Sequence, residues 1–226
     1  KCNPRITSRR VRKIGAQMIR VIWLVLFSLS LLYGGNERLL DSANAYNHIN
    51  RINKISQPIV TNSSAIIVFP TFVKAGFILG ATIGRGVMLV RDDVDEFYSD
   101  DNLTRHLNSN WSAVPVRLGG ATIGLQAGYE NNFLVMYVMN PAVIKDIYDN
   151  KLTLSASASV SFMDYGTKNE IVSDIGFSDI YIYTNNSGFF AGANLGGSVI
   201  TVDDKIRFNT NSYGYKQLMH AITMVR

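Results

Sequence analysis

The stretch AIIVFPTFVKAGFILGATIGRGVMLVR, residues 65–91, decides the fold. It opens on the apolar run Ile66, Ile67, Val68, Phe69 and closes on another, Val87 to Val90. Between them glycine returns at every fourth position: Gly76, Gly80 and Gly84. The same spacing recurs at Gly120, Gly124 and Gly128, and again at Gly188, Gly192 and Gly196. In an apolar helix this spacing is a packing motif of membranes. Gly in a helix interior costs about 1 kcal/mol relative to Ala, and the intervening Phe77, Ile78, Ile83, Thr122, Ile123, Phe189 and Phe190 favour strands. Positions four apart in a strand share one face. Each series is therefore expected to bare a stripe of backbone, which suits sheet curvature and close packing, or else a ligand groove.

Working outward, the pattern predicts strands over 65–69, 75–80, 85–91, 114–119, 121–129 and 133–139. A short helix is expected over 141–148, with Pro141 in its first turn. Strands resume over 152–162, 171–177, 179–184, 188–195 and 198–202, with a last helix from about residue 203. Ser155, Ser157, Ser159 and Ser161 alternate with apolar residues, as do Asp179, Tyr181 and Tyr183 with Ile180 and Ile182. Such alternation suits a half-exposed sheet, or a barrel wall facing a wet interior. Before the strands, Leu39, Leu40, Ala43, Tyr46, Ile49 and Ile52 repeat at helical steps, predicting a helix over 36–57 that Pro58 closes. Its polar face is expected to carry Arg38, Asp41, Asn44, Arg51 and Lys54. The expected class is α+β: mostly antiparallel, glycine-rich strands in a curved sheet or barrel-like domain, with an N-terminal helix and short additional helices.

The formal charge of +5 is a property of the first 20 residues, which hold Lys1, Arg5, Arg9, Arg10, Arg12, Lys13 and Arg20 and no acid. The remainder is slightly acidic, so nucleic acid is not an expected partner. The apolar run Val21 to Tyr33 is shorter than the roughly 20 residues that a transmembrane helix needs. Basic flank, short apolar core and Gly34-Gly35 read as a secretory signal, or as an uncleaved anchor through 21–33, since no Ala-x-Ala cleavage site follows. Met18 could open a compact signal by itself, which would make 1–17 an upstream extension. Residues 1–35 are then leader and 36–226 one domain, with a β-rich core over 65–204. The expected place is outside the cytoplasm, in a periplasm or outer envelope, or anchored at an inner membrane.

Little in the sequence points to catalysis. His48, His106 and His220 have no metal-ligand spacing, and the single cysteine, Cys2, lies in the leader. The acidic residues of 91–110 lack the glycine and closing glutamate of an EF-hand loop. The glycines form no phosphate loop, and no serine stands in a Gly-x-Ser-x-Gly turn. No enzyme, cofactor or metal is expected.

Three runs of the sequence carry a family resemblance. The first is Ile66-Ile67-Val68-Phe69-Pro70 with Val73-Lys74-Ala75-Gly76-Phe77, Gly80, Gly84 and Gly86. The second is Trp111-Ser112, Pro115, Leu118-Gly119-Gly120-Ala121, Gly124-Leu125-Gln126, Gly128 and Val138-Met139-Asn140. The third is Asp179-Ile180-Tyr181, Gly188-Phe189-Phe190-Ala191-Gly192 and Gly197-Ser198-Val199-Ile200. In order and spacing they resemble the SYLF domain, a lipid-binding module of bacterial exported proteins and of eukaryotic trafficking and actin-regulating proteins. The resemblance spans roughly 65–204 and makes Gly76, Gly80, Gly84, Gly120, Gly124, Gly128, Gly188 and Gly192 motif glycines. It implies a non-enzymatic cell-envelope protein whose partner is membrane lipid, in particular anionic phospholipid. Actin is not an expected partner, because no basic extension follows Gly35. Lys74, Arg85, Arg91 and Arg117, in or beside the matched strands, are the candidate phosphate contacts, set against a role as solvated edge charges. Two other functions compete: a small outer-membrane β-barrel, and a hydrolase with an unrecognised site.

Overall fold

A computed structural model describes residues 35–53, 55, 57–76, 79–91, 111–123, 128–163, 178–185, 195 and 197–224. The chain divides into two compact units, Lys1–Gly35 and Asn36–Arg226. All the strands belong to the second. Helix α1 covers 35–53 and α2 covers Gln57–Asn62. Strands β1 (Ala65–Gly76), β2 (Leu79–Arg91), β3 (Trp111–Ile123) and β4 (Gly128–Val138) come after them. Next are α3 (Pro141–Tyr148), β5 (Val160–Met163), β6 (Ile180–Thr184), β7 (Val199–Val202) and α4 (Tyr213–Met224). All seven strands join one sheet in the order β5-β6-β4-β1-β2-β3-β7. Every pairing is antiparallel except β5 with β6. The class expected from sequence, α+β on an antiparallel sheet, holds. The sheet is open: β5 and β7 do not meet, so it does not close into a barrel.

Why the sheet is central follows from its alternation. Along β1, Ala65, Ile67 and Phe69 face one side, and Ile66 and Val68 the other. Both faces are apolar, so both must be covered. On the first face, Met88, Val90, Val116, Leu118, Leu134 and Met136 pack against Val143, Ile144 and Ile147 of α3. On the second, Val87, Leu89, Val135, Tyr137, Tyr181 and Tyr183 pack against Leu39, Tyr46 and Ile49 of α1 and Leu218 and Ile222 of α4. The half-exposed sheet expected around Tyr181 and Tyr183 is thus not found: every residue of β6 is buried. Helix α1 closes over Tyr137, whose hydroxyl donates to Asn50 Oδ1 at 3.1 Å. Its ring meets Tyr183 edge-on, with centroids 5.7 Å apart.

The first and last helices of the unit meet at their starts. Asn36 Oδ1 accepts from the Gly214 N–H at 3.0 Å. A Cβ at Gly214 would lie 2.7 Å from that oxygen and 3.1 Å from Leu39 Cβ, so a side chain there would force the helices apart. Helix α3 forms as expected, with Asn140 as its cap accepting from the Ala142 N–H at 3.0 Å. Pro58 does not close a long helix; it stands in the first turn of α2, where its missing N–H costs nothing. The last helix begins at Tyr213 rather than near 203. The predicted strand 152–162 shrinks to Val160–Met163, because 155–157 form a turn with Ser155 at φ 63°. The predicted strands 171–177 and 188–195, apart from Leu195, lie outside the described residues. Among the described residues no helix is long and apolar enough to cross a membrane.

The glycine series need a correction. Gly76 ends β1, while Gly80 and Gly84 lie on β2, and Gly76 and Gly80 are directly opposite each other. Gly120 lies on β3 and Gly128 on β4, opposite Gly76. Among the described residues only Gly80 and Gly84 keep the spacing of four along one strand. From Gly76 to Gly80 it straddles the β1–β2 hairpin, because residues on either side of a tight turn also become neighbours, whereas Gly120 and Gly128 lie on β3 and β4, which do not pair. Gly124, Gly188, Gly192 and Gly196 lie outside the described residues. The expected close packing is nonetheless present. A Cβ at Gly84 would meet Phe69 at 3.1 Å and Phe72 at 3.3 Å. At Gly86 it would run into the Val68 carbonyl oxygen and lie 2.7 Å from the Phe69 ring. The bulge between Val68 and Thr71 turns Phe69 and Phe72 to the same face, and the glycines leave the room those rings fill.

Candidate functional site

The four lysine and arginine candidates separate in space. Arg91 ends β2 opposite Trp111, and its guanidinium lies 5.3 Å from the indole centroid. It also donates to the Thr61 carbonyl at 2.6 Å, while its backbone N–H bonds Ser64 O at 3.0 Å. These contacts tie the end of α2 to the sheet. Arg85 stands six residues away on β2, or about 20 Å along the strand. Lys74 lies on β1 with its backbone opposite Thr82 and Glu130. Only Arg85 and Arg117 are brought together, as directly opposed partners of β2 and β3.

They stand in one row across the sheet, Thr71, Arg85, Arg117, Thr201, on the face that α1 partly covers. Opposed side chains in an antiparallel pair have Cβ atoms about 4.5–5.5 Å apart, and like charges there repel. Two residues that the sequence does not single out as site residues complete the cluster. Asp203 follows β7, and its carboxylate lies 3.7 Å from Arg117 Nε and 3.6 Å from Arg38 Nη1. Arg38 belongs to α1, and its side chain is only 7% exposed. Burial lowers its pKa; Asp203 opposes that shift and the nearby Arg85 charge adds to it. The helical pattern alone puts Arg38 on the polar face of its helix. Its spacing to Ser42, Ala45 and Ile49, all buried, is the signal that it faces inward.

The surroundings are small and open. Ala81, Ile83, Arg85, Arg117, Gly119 and Ala121 are all exposed, and Ile83 is 61% exposed. On the other face Thr82 and Gly120 are closed off by Ser198. Phe72 is fully buried in the core, and Phe77 lies outside the described residues. This end of the sheet therefore presents an apolar side chain beside two guanidinium groups.

No proton-transfer chemistry is arranged nearby among the described residues. The buried phenols sit deeper in the second core. Desolvation holds Tyr137 well above its usual pKa, raises Tyr46, and pushes Tyr183 up to about 12. They remain neutral in any ordinary solution. His48 meets Phe133 edge-on at 5.7 Å and lies within reach of Arg51, while His220 is exposed and His106 falls outside the described residues. Among the described residues no three His, Cys, Asp or Glu side chains are grouped to hold a metal ion.

Residues 119–222 match the family model Ysc84, described as "Las17-binding protein actin regulator". The match runs from the second half of β3 through α4 and bears out the resemblance to the SYLF domain. The chain is similar to an SH3 domain-containing protein of Schizosaccharomyces pombe, 27% identical over 151 residues, covering 65% of this chain and 32% of that protein. It is also similar to "Protein YSC84" of Saccharomyces cerevisiae, 24% identical over 173 residues, covering 74% of this chain and 34% of that protein. The chain thus spans about a third of the length of the curated relatives it matches.

Proposed function

We propose that this Ysc84 (SYLF) domain is a non-enzymatic module that attaches its protein to anionic membrane lipid through the open end of the sheet. The observation that carries the reading is the exposed Arg85–Arg117 pair beside the exposed Ile83. A cationic pair draws the domain to an anionic surface, and an adjoining apolar side chain adds contact that salt does not screen. Lys74 is a further candidate contact, for its place in the matched run of β1. Family likeness supports a lipid- or actin-related role without catalysis.

Residues 1–35 would deliver the domain to an envelope, as a cleaved signal peptide or as an anchor through 21–33. That placement, and a bacterial source, rest on the leader sequence alone; the curated relatives are yeast proteins.

Co-sedimentation of residues 36–226 with phosphatidylcholine vesicles, with and without phosphatidylglycerol or phosphatidic acid, tests the reading. Binding to anionic vesicles that weakens with salt and with Arg85→Gln supports it. Absence of vesicle binding overturns it. The family model's description favours a second reading, a partner in an actin-regulating assembly. Co-sedimentation with filamentous actin in the absence of lipid would support that reading instead.

A further inference from the structure

The charges around Asp203 do not balance. Arg38 and Arg117 flank a single carboxylate, while Arg85, opposite Arg117 and near Arg38, has no ion pair among the described residues, so the three guanidinium groups exceed the one carboxylate they share by two positive charges. The contacts of Asp203 with Arg38 and Arg117, at 3.6 and 3.7 Å, exceed the roughly 2.7–2.9 Å of a charge-assisted hydrogen bond. Arg38 Nη1 has no hydrogen-bond acceptor among the described residues although it is buried. A buried donor without an acceptor is unfavourable, and so is a like-charged pair held directly opposite across two strands. A single bound anion would relieve both.

We propose that Arg38, Arg85 and Arg117 form a binding site for a dianionic phosphomonoester, with Asp203 as the resident counter-ion. Arg38 is the floor, held by α1; Arg85 and Arg117 are the exposed rim, held by β2 and β3. A phosphomonoester carries close to two negative charges at neutral pH, which matches the excess. A phosphodiester carries one and leaves the cluster positive. The planar fork of each guanidinium suits phosphate oxygens. The site therefore sorts anions by ester type, where a diffuse basic surface would respond only to charge density. A lipid headgroup and a soluble metabolite both supply this chemistry; the proposed lipid role bears only on which of the two is the source.

The test titrates the full chain by calorimetry with glycerol 3-phosphate and with dimethyl phosphate. The same protein is then sedimented with phosphatidylcholine vesicles carrying phosphatidic acid or phosphatidylglycerol at equal total charge. Glycerol 3-phosphate is expected to bind at least about tenfold tighter than the diester, and Arg85→Gln and Arg117→Gln each to weaken it about tenfold. Lys151→Gln, an equal charge loss in the segment after α3, is expected to change nothing. Arg85 is exposed and makes no ion pair among the described residues, so a cooperative melting curve for Arg85→Gln with a midpoint no lower than the parent's confirms an intact fold. Equal affinity for the two soluble probes, or equal loss in Lys151→Gln, overturns the site. Monoester binding without vesicle binding keeps the site and removes the lipid role. Vesicle binding that ignores ester type but weakens in Arg85→Gln keeps the lipid role and removes the site.

Discussion

The two ends of the sheet are built on opposite rules. At the closed end, Ala65 to Phe69, Val87 to Val90 and Leu134 to Val138 are buried on both faces under helices. At the open end, Ala81, Ile83, Arg85, Arg117, Gly119 and Ala121 face solvent. The same four strands run through both. What differs is side-chain volume: large branched and aromatic residues call for a covering layer, whereas glycine and alanine leave backbone bare and let charges stand close together. Stability is therefore concentrated at one end, and the capacity to meet a ligand at the other.

The comparison breaks first if the closed end is not where stability lies. Phe69→Ala empties a fully buried ring site and is expected to cost about 3–5 kcal/mol in urea unfolding. A loss under about 1 kcal/mol would mean that the end is far looser than its burial implies. Two adjacent glycines of β3 sharpen the contrast within one strand. At Gly120 a Cβ would lie 2.9 Å from Ser198 Cα, a backbone atom that cannot swing aside. Gly120→Ala is expected to cost about 1–3 kcal/mol. At Gly119 a Cβ would meet nothing within 4 Å, and Gly119→Ala should gain about 0.5 kcal/mol by restricting the unfolded chain. Equal effects at the two positions, read from urea midpoints, would erase the distinction between the packed and bare faces of this strand. A smaller and opposite effect is expected from Arg85→Gln, which removes one of two opposed like charges and should stabilise by about 0.2–1 kcal/mol. Arg117→Gln also breaks the ion pair with Asp203, so it should gain less or lose. A destabilised Arg85→Gln would show that the row is a structural network rather than a tolerated repulsion.

The closed end was the legible one. Apolar runs marked the start of β1 and the ends of β2 and β4, and Asn140 with Pro141 marked α3. The alternation of Ile180, Tyr181, Ile182 and Tyr183 assigned each to a separate face, although not that both faces were covered. The open end was misread for a geometric reason. Residues four apart are neighbours on one face of a strand and are also opposed across a tight hairpin, so the glycine spacing fits both. Of the candidate site, Arg85 and Arg117 were named without any sign that they pair, since 32 residues separate them. Arg38 was missed because a charge on an amphipathic helix is ordinarily assigned to solvent. Asp203 was missed because nothing local marks a carboxylate whose partners lie on α1 and β3.

The smallest effect concerns the rim of the closed end, where Asp179 joins three elements. Its carboxylate accepts from Asn140 Nδ2 at 2.8 Å, and from the Ser159 N–H and hydroxyl at 2.8 and 2.7 Å. Asn140 also caps α3, and Ser159 precedes β5, so one carboxylate ties the helix and the edge strand to β6. The hydrogen bonds from Asn140 and Ser159 hold the Asp179 carboxyl below its usual range. A depressed folded-state pKa stabilises the fold at pH values above the unfolded value, near 3.9, and that contribution disappears as pH falls through the folded value. Because the group is largely solvated, screening limits it to about a few tenths of a kcal/mol. Urea midpoints at pH 7 and below pH 3 should therefore differ slightly more for the parent chain than for Asp179→Asn. If the substitution left that pH difference unchanged, the three hydrogen bonds would be incidental to the edge, and the closed end would owe its stability to the buried faces alone.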